Sequence, residues 1–474
     1  MKSRIVWGAV SVMMAFSPQA FAASDPTEPQ FRALYKELVE TNTAINTGSC
    51  TLAAEQIAKR MKAAGFTDAE LHPFADPAHP KEGGLVAILP GSDPKAKAIL
   101  LLAHIDVVEA KREDWVRDPF TLIEENGKFY ARGTVDDKAQ AAMWADSLIR
   151  FRQEGYKPRH TLKMALTCGE ETAGAFNGAE WLTKNRRELI DAAYAINEGA
   201  AGELGKDGKH EVMTVQAGEK VAQNFMLEVT NPGGHSSRPL KDNAIYRLAS
   251  ALKKVEAYQF PIQLADGSRG YLTGMAKIQA AQGHKDVADA MLAIVKNPKD
   301  AKAVALVSER NPSWGAMLHT TCVATMLDAG HATNALPQRA RANINCRIFS
   351  GVSQEEVRTA LAKAINDPAV KVETLEIRGP NSQPPALNKA IMEPIEKLTA
   401  EMWPGVPVLP IYQSGATDGQ FLNGVGIPTY GISGIFLEPG LNNIHGLNEF
   451  IGVQSLMEGR KFLYDLLKIY GEQQ

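Results

Sequence analysis

Three short apolar runs in the first half of the chain each lead into acidic or imidazole side chains. The runs and the side chains that follow them are 98–103 with His104 and Asp106, 161–167 with Glu170 and Glu171, and 192–197 with Glu198. Helix-like amphipathic stretches separate these runs, so the pattern predicts an α/β layer with a largely parallel sheet. The carboxyl ends of parallel strands line one ligand crevice, so these side chains should meet at one edge of the sheet.

The pattern changes between about residues 219 and 379. Strands are predicted at 222–230, 321–327, 339–349 and 370–377, with helices at 243–255 and 353–365. We therefore predict an α/β catalytic domain, with a mixed, mostly parallel sheet and helices on both faces, built from residues 23–218 and 380–474. An α+β lid or dimerisation domain, 219–379, is inserted into it. A long insertion at 259–314 should enlarge that lid.

The first residues have the composition of an export signal. Lys2 and Arg4 precede an apolar run, 5–16, and small residues surround Phe21. We predict a signal peptide at 1–22 and a secreted protein, periplasmic if bacterial. No later run is apolar and long enough to span a bilayer, so no membrane contact is expected after cleavage. An oxidising compartment would allow one disulfide among the four cysteines, whose pairing the sequence does not give.

The charge balance argues against nucleic acid. The 474-residue chain has a formal net charge of −3 and no run rich in Lys or Arg. A small-molecule substrate is therefore the better expectation.

His104 and Asp106 lie two residues apart on an extended segment and project to the same side. The carboxylate of Asp106 can then accept a hydrogen bond from the imidazole while His104 binds a metal. Glu170 and Glu171 are adjacent and point in opposite directions, so one can ligate while the other faces a reacting water. A structural His–Asp pair and a solvated acidic loop are the alternative interpretations.

Two further positions complete the candidate set. Asp136 follows a glycine turn and precedes an alanine-rich helix, where it could bridge two cations or simply cap the helix. His445 lies in a polar loop that contains glycine. Two histidines, a bridging aspartate and a pair of glutamates are together what two borderline divalent ions require, with one carboxylate left as base.

These segments, taken in order, resemble a known family, the co-catalytic zinc exopeptidases and deacylases. That family includes aminoacylase, carboxypeptidase S, glutamate carboxypeptidase and succinyl-diaminopimelate desuccinylase. The resemblance is to the carboxypeptidase S and aminoacylase branch in particular. The matching segments are LLAHIDVV (101–108), ARGTVDDK (131–138), TCGEETAG (167–174), INEGA (196–200), GGHSSRP (233–239), NALP (334–337), SGATDGQF (414–421) and NIHGLNEF (443–450).

The resemblance implies a role for each site residue. His104, Asp136 and Glu198 would hold one metal; Asp136, Glu171 and His445 would hold the other. Asp106 would orient His104, and Glu170 would be the general base. His235 would stabilise the oxyanion, in dimeric members from the partner subunit. Asn334 and Arg347 would contact the carbonyl and the terminal carboxylate of the substrate. Gly169 and Asn345 depart from the family pattern, which has Asp at both positions in many members.

The implied cofactor is a pair of divalent ions, with zinc favoured and cobalt or manganese as alternatives. The predicted reaction is cleavage of an amide bond in a dipeptide or short peptide with a free C-terminal carboxylate, and a homodimer through the lid is expected. An N-acyl amino acid deacylase is the alternative within this class. A non-catalytic metal-binding homologue is the alternative from another class. A serine hydrolase is disfavoured because Ser414 and Ser236 lack a G-x-S-x-G context.

Overall fold

The computed structural model describes residues 25–172, 176–377, 379–380 and 382–474. The predicted signal peptide lies outside these ranges. In the described ranges the α-helices are α1 (Glu28–Glu40), α2 (Cys50–Ala63), α3 (Lys138–Glu154), α4 (Gly178–Asn185), α5 (Arg187–Ile190), α6 (Ala244–Ala257), α7 (Asp266–Ala281), α8 (Lys285–Lys296), α9 (Ala301–Arg310), α10 (Pro312–Ala316), α11 (Gln354–Ile365), α12 (Lys389–Met402), α13 (Gly419–Gly424) and α14 (Val453–Gly471).

Within the same ranges the strands are β1 (Leu71–Phe74), β2 (Gly84–Leu89), β3 (Ile99–His104), β4 (Ile123–Glu125), β5 (Lys128–Tyr130), β6 (Leu162–Thr167), β7 (Tyr194–Asn197), β8 (Gly202–Leu204), β9 (His210–Glu219), β10 (Val221–Thr230), β11 (Gly234–His235), β12 (Thr321–Ala329), β13 (Ala335–Leu336), β14 (Arg339–Ile348), β15 (Lys371–Ile377), β16 (Val408–Gln413), β17 (Thr429–Gly431), β18 (Phe436–Leu437) and β19 (Phe450–Gly452).

Ten of these strands form one mixed sheet. Its order is β1-β2-β6-β3-β7-β17-β9-β8-β18, and β16 pairs with β9 beside this path. The centre is parallel, since β3 lies between β6 and β7 and runs parallel to both. Every residue of β3 is buried, as expected of a strand covered on both faces. The predicted α/β fold with its parallel centre is confirmed.

Helices cover both faces of this sheet. Leu101 and Ala103 of β3 belong to one apolar cluster, which also contains residues of α1, α2, α3 and α14. Leu100 and Leu102 belong to a second cluster, with residues of α4, α5 and α13. Successive residues of a strand point to opposite faces, so β3 is enclosed between two helical layers.

A separate antiparallel sheet is formed by β12-β14-β10-β15, in that order. Residues of β10 alternate between buried and half-buried, the pattern of a sheet covered on one face. Helices α6 and α11 pack on the buried face. Ser353 caps α11 in a reciprocal pair of hydrogen bonds with Glu356, which fixes where that helix begins. These elements match the strands and helices predicted for the lid.

The helical insertion is placed differently from the prediction. Helices α7–α10 form their own apolar cluster, which includes Val212 of β9 and Leu409 of β16. Glycines along α7 allow this approach, since a Cβ at Gly274 would lie 2.1 Å from the Leu409 side chain. The insertion therefore packs against the ten-stranded sheet, and the expectation that it enlarges the lid is wrong.

Two disulfides pair all four cysteines. Cys50 at the start of α2 is bonded to Cys168 after β6, and Cys322 of β12 is bonded to Cys346 of β14. The sequence allowed for one bridge, because cysteines so far apart in the chain give no sign of which strands and helices will bring them together. No helix among the described residues is long and apolar enough to cross a membrane.

Candidate metal centre

The three apolar runs deliver their polar side chains to one place. Strands β6, β3 and β7 are neighbours, and they run parallel. His104 is the last residue of β3, the adjacent Glu170 and Glu171 follow β6, and Glu198 follows β7 directly. The convergence expected from the carboxyl ends of parallel strands is therefore present.

His104 is buried and contacts three acidic residues. Its Nδ1 lies 3.1 Å from the main-chain carbonyl of Asp106 and 3.5 Å from that residue's carboxylate. Its Nε2 lies 3.0 Å from Oδ1 of Asp136 and 3.8 Å from Oε1 of Glu198. The predicted proximity of His104 and Asp106 is present, but the shorter contact involves the carbonyl.

The carboxylate of Asp106 has other partners. It accepts hydrogen bonds from the main-chain N–H groups of Glu170, at 3.4 Å, and Glu171, at 3.1 Å. Asp106 thus fixes the position of the glutamate pair as well as that of His104. The sequence pattern predicted only the contact of Asp106 with His104.

Asp136 lies between two imidazoles. Its Oδ1 faces Nε2 of His104, and its Oδ2 lies 3.1 Å from Nε2 of His445. The same His445 nitrogen lies 2.9 Å from Glu171. Each oxygen of one carboxylate therefore meets a different histidine, which is the arrangement expected of a residue shared by two ions.

A buried ion pair that sequence reasoning missed holds these segments together. Arg132 donates to Glu449 at 2.8 Å, and each side chain is at most 3% exposed. Glu449 also accepts the main-chain N–H groups of Gly133 and Val135, at 3.1 and 2.9 Å. Arg132 donates to the carbonyl of His445 at 3.3 Å. Arg132 lies in the segment that contains Asp136 (131–138), and Glu449 lies in the segment that contains His445 (443–450). Closeness in sequence to these two site residues was the available signal of a role for the ion pair.

Asp418 is a second buried carboxyl group that the sequence did not identify. It accepts hydrogen bonds from the Thr167 hydroxyl at 2.8 Å and the Asn177 amide at 2.6 Å. Burial raises its pKa to about 6, although both hydrogen bonds oppose the shift. Its negative charge also acts on Glu170.

The cluster concentrates negative charge in a buried volume. Burial, reinforced by Glu198, raises the pKa of Glu170 well above its usual range. Burial likewise raises the pKa of Glu198 well above its usual range, with Asp136 and Glu171 adding to the shift. Hydrogen bonds to Asp136 and Glu171 raise the pKa of His445 to about 10. Carboxylates packed this closely need cations as counter-charges.

The donor set fits divalent metal ions. Ligand atoms of His104, Asp136 and Glu171 lie within 4.8 Å of one another, and so do those of His104, Glu170 and Glu198. Imidazole nitrogens and carboxylate oxygens are ligands of zinc and of neighbouring transition metals. The two glutamates of the adjacent pair fall into different groups, consistent with side chains that point in different directions.

Gly169 is required by the backbone. Its φ is +92°, and a Cβ there would lie 1.7 Å from the carbonyl oxygen of Phe176. The aspartate found at this position in many family members could not be accommodated without moving the segment before Glu170.

The lid residues fall into two places. His235 of β11 pairs with Ala335 of β13, next to Asn334, whose carbonyl accepts the N–H of Ser236 at 3.0 Å. The side chain of Ser237 contacts Nδ1 of His235 at 2.8 Å.

Arg347 lies on β14, opposite Ala222 of β10. The buried side chain of Lys220 lies close enough to be affected by the positive charge of Arg347. Burial, with repulsion from Arg347 as the smaller cause, lowers the pKa of Lys220 to about 7. Among the described residues, no hydrogen bond or ion pair joins His235 or Asn334 to the carboxylate cluster.

A parallel sheet edge that gathers two imidazoles and four carboxylates around a shared aspartate defines a metal-dependent hydrolase. The family comparison agrees, since residues 100–469 match the model for peptidase family M20/M25/M40. The chain belongs to this family, whose members depend on a pair of metal ions. The predicted resemblance and the predicted metallopeptidase class are confirmed.

Known relatives agree with this assignment. The chain is 30% identical over 387 residues, 80% of its length and 75% of the relative's, to the N-fatty-acyl-amino acid synthase/hydrolase PM20D1 of Homo sapiens. The M20 family metallo-carboxypeptidase Sso-CP2 of Sulfolobus solfataricus has the same fold, with a TM-score of 0.69 at 18% identity. That match covers 93% of this chain and 99% of that one. The YXEP protein of Bacillus subtilis, described as a dinuclear metal binding peptidase, matches with a TM-score of 0.57 at 12% identity, covering 93% and 97%.

Proposed function

We propose that this hydrolase cleaves the amide bond between an acyl or aminoacyl group and an amino acid whose carboxylate is free. The observation that carries the proposal is the position of Asp136 between His104 and His445, with Glu198 and Glu171 on either side. His104, Asp136 and Glu198 would hold one ion; Asp136, Glu171 and His445 would hold the second. When bound, the ions lower the pKa of a water and polarise the substrate carbonyl.

Glu170 is the proposed general base. Its burial favours the proton-bound form, so it can accept a proton from water and later donate it to the leaving amine. Asp106 holds the main-chain N–H of Glu170 and therefore positions the base relative to His104. The presence of Glu170, a candidate base within the carboxylate cluster, argues against a non-catalytic homologue.

The lid residues are proposed to bind the rest of the substrate. Arg347 is suited to a terminal carboxylate, because its planar guanidinium can form two charge-assisted hydrogen bonds. His235 would donate to the oxyanion, and Asn334 to the substrate carbonyl. None of the three lies on the ten-stranded sheet: His235 and Asn334 lie at the β11–β13 pair, and Arg347 lies on β14 of the four-stranded sheet. We propose that they contact a substrate bound between these sheets and the carboxylate cluster, or a substrate bound in the active site of the partner subunit.

Two substrate classes fit this chemistry. The first is a dipeptide or short peptide with a free C-terminal carboxylate. The second is an N-acyl amino acid, which the 30% identical human relative favours by its described activity. Both present the same amide and the same carboxylate, and they differ in the group on the acyl side.

The proposed cofactor is a pair of zinc ions, with cobalt or manganese as alternatives that the same oxygen and nitrogen donors accept. We also propose export by a signal peptide at residues 1–22, which places the protein outside the cytoplasm, in the periplasm if bacterial. Both disulfides are consistent with an oxidising compartment.

We further propose a homodimer formed through the four-stranded sheet. Its edge strand β12 exposes the apolar side chains of Val323 (58%), Met326 (73%) and Leu327 (67%). An edge strand with unpaired main-chain groups and exposed apolar side chains is suited to pairing with a second copy.

Turnover of a mixed panel of dipeptides and N-acyl amino acids by metal-loaded wild type tests the proposed function. Glu170→Gln should retain metal and lose activity by about 10²–10⁴-fold. Glu171→Gln should lose metal, because it removes a proposed ligand. Glu188→Gln, at an exposed position, is the matched control and should match wild type. An active Glu170→Gln variant would refute the assigned base, and metal-loaded wild type that cleaves nothing in the panel would favour the non-catalytic alternative.

A further inference from the structure

A cavity of about 1070 Å³ opens beside the metal centre. One continuous segment, 198–207, forms part of its wall and begins at Glu198, a proposed metal ligand. The lid residues Arg347, His235 and Asn334 do not line it. Because these three are the proposed contacts of the amino acid side, the cavity is left for the acyl side of the amide.

Acidic side chains lie close together along this wall. Glu203 of β8 and Glu211 of β9 line the cavity, as does Asp207 on the turn between these strands. A Cβ added at Gly205 would lie 2.5 Å from Oε1 of Glu211 and 3.0 Å from Oδ1 of Asp207. The negative charge of Glu211 also acts on Glu203. Three neighbouring carboxylates therefore border the cavity.

Two of these carboxylates lack a counter-charge. Asp207 forms an ion pair with Lys209 at 2.7 Å. Glu203 and Glu211 have no ion-pair partner in the part of the chain that the structure describes. Among the described residues that line the cavity, Lys206 is the one basic side chain. Like charges held together favour a cation beside them, so this wall selects a positively charged ligand.

An aromatic pair adjoins the carboxylates. Tyr271 of α7 and Trp314 of α10 line the cavity and are 3% and 9% exposed. The indole N–H of Trp314 donates to the Tyr271 hydroxyl at 3.1 Å, which fixes the two rings relative to each other. The charge of Glu203 acts on Tyr271. Aromatic rings attract ammonium and guanidinium groups, and they also cover the methylene stem of a basic side chain.

Asp137 supplies a further acceptor near the metal centre. It lines the cavity next to Asp136 and is 4% exposed. Its Oδ2 has no hydrogen-bond partner among the described residues. A buried acceptor without a donor is unfavourable, and an α-ammonium group on the acyl side of the substrate would supply one. This oxygen favours an aminoacyl group over a simple acyl group.

We propose that the cavity binds a cationic side chain on the acyl side of the amide, and that the substrates are short peptides whose first residue is lysine or arginine. Glu203 and Glu211 are the proposed specificity determinants, with Tyr271 and Trp314 beside the methylenes of the basic side chain. This inference rests on the proposed amide hydrolysis, and it selects peptides from the two substrate classes that fit that chemistry.

The test compares kcat/KM for lysyl-alanine and norleucyl-alanine, which differ by the terminal ammonium group of the first residue. Wild type should prefer lysyl-alanine by about tenfold or more, the effect of a hydrogen bond between charged groups. Glu203→Gln combined with Glu211→Gln should lower this preference at least about tenfold. Both side chains are exposed, so the fold should tolerate the change. Glu309→Gln, exposed on α9 and outside the cavity, is the matched control and should keep the preference.

A second measurement does not depend on turnover. Butylguanidinium should bind metal-loaded wild type and Glu309→Gln equally, and the double variant about tenfold more weakly, measured by titration calorimetry. Equal kcat/KM for the two dipeptides in wild type would overturn the inference and leave the proposed function intact, as would butylguanidinium binding that the double variant does not change. Failure of wild type to cleave any dipeptide or N-acyl amino acid would refute the proposed function. Butylguanidinium binding would then still decide whether the cavity is a cation site.

Discussion

The guanidinium of Arg132 and the carboxylate of Glu449 lie 2.8 Å apart in a buried position and join two segments of the metal centre. Glu449 holds the main chain before Asp136, and Arg132 holds the carbonyl of His445. The shared aspartate and the exposed histidine therefore depend on one ion pair that contacts neither of their side chains.

Glu449→Gln should lower both stability and metal content. The substitution leaves Arg132 buried without its counter-charge, which costs about 3–5 kcal/mol. It should also loosen Asp136 and His445, so metal retained after dialysis should fall. Chemical unfolding and metal analysis measure the two effects. The matched control is Glu124→Gln, which breaks an exposed ion pair with Arg32 and should cost less than about 1 kcal/mol. A Glu449→Gln variant with full metal content would contradict this positioning role.

The Cys50–Cys168 disulfide should matter for the base as well as for stability. Cys168 lies two residues before Glu170, and the bridge ties that segment to the start of α2. Replacing both cysteines with alanine should lower the free energy of unfolding by about 2–5 kcal/mol. It should also lower kcat, because Glu170 would be less well positioned.

The second disulfide provides the comparison. Replacing Cys322 and Cys346 removes a bridge within the four-stranded sheet. The expected loss of stability is of the same order, about 2–5 kcal/mol, with a smaller fall in kcat at saturating substrate. Equal losses of kcat in the two double variants would mean that the first bridge has no special link to Glu170.

The sequence predicted most of the fold and the ligand positions, for physical reasons. Buried parallel strands such as β3 are recognisable in the sequence as continuous apolar runs. A polar residue that follows such a run lies at the carboxyl edge of the sheet, where ligands bind. His104 and Glu198 were found in this way. Arg132 and Glu449 were not assigned a role. Charged residues are usually exposed, and the sequence does not show which of them are buried or which residue neutralises a buried charge. The placement of α7–α10 against β16 was missed for the same reason, since an amphipathic helix does not show which surface it covers.

Met326→Lys should weaken the proposed homodimer. Met326 is 73% exposed on the edge strand β12, and a lysine there would bring like charges together across a symmetric interface. Sedimentation velocity should show a shift from dimer to monomer. Leu292→Lys, on the exposed part of α8, is the control and should remain dimeric. If His235 acts across the interface, the monomeric variant and a His235→Ala variant should both lose activity. A fully active monomer would contradict that role.

Glu219→Gln should change how stability depends on pH. Glu219 is buried, and it accepts the main-chain N–H of Thr417 at 2.7 Å. Burial raises its pKa to about 8 from the usual 4.5. Between these values the unfolded chain has released a proton that the folded chain keeps, so the free energy of unfolding falls as pH rises through this window.

Glutamine at position 219 keeps a hydrogen-bond acceptor for Thr417 and removes the titrating group. As pH rises from about 5 to about 8, the free energy of unfolding of the variant should therefore increase relative to that of wild type. Urea unfolding of both proteins at the two pH values measures this difference. Glu401→Gln, which removes an exposed carboxyl group of α12, should keep the wild-type trend. A difference between Glu219→Gln and wild type that is the same at both pH values would show that this carboxyl group does not titrate in the folded protein within the window.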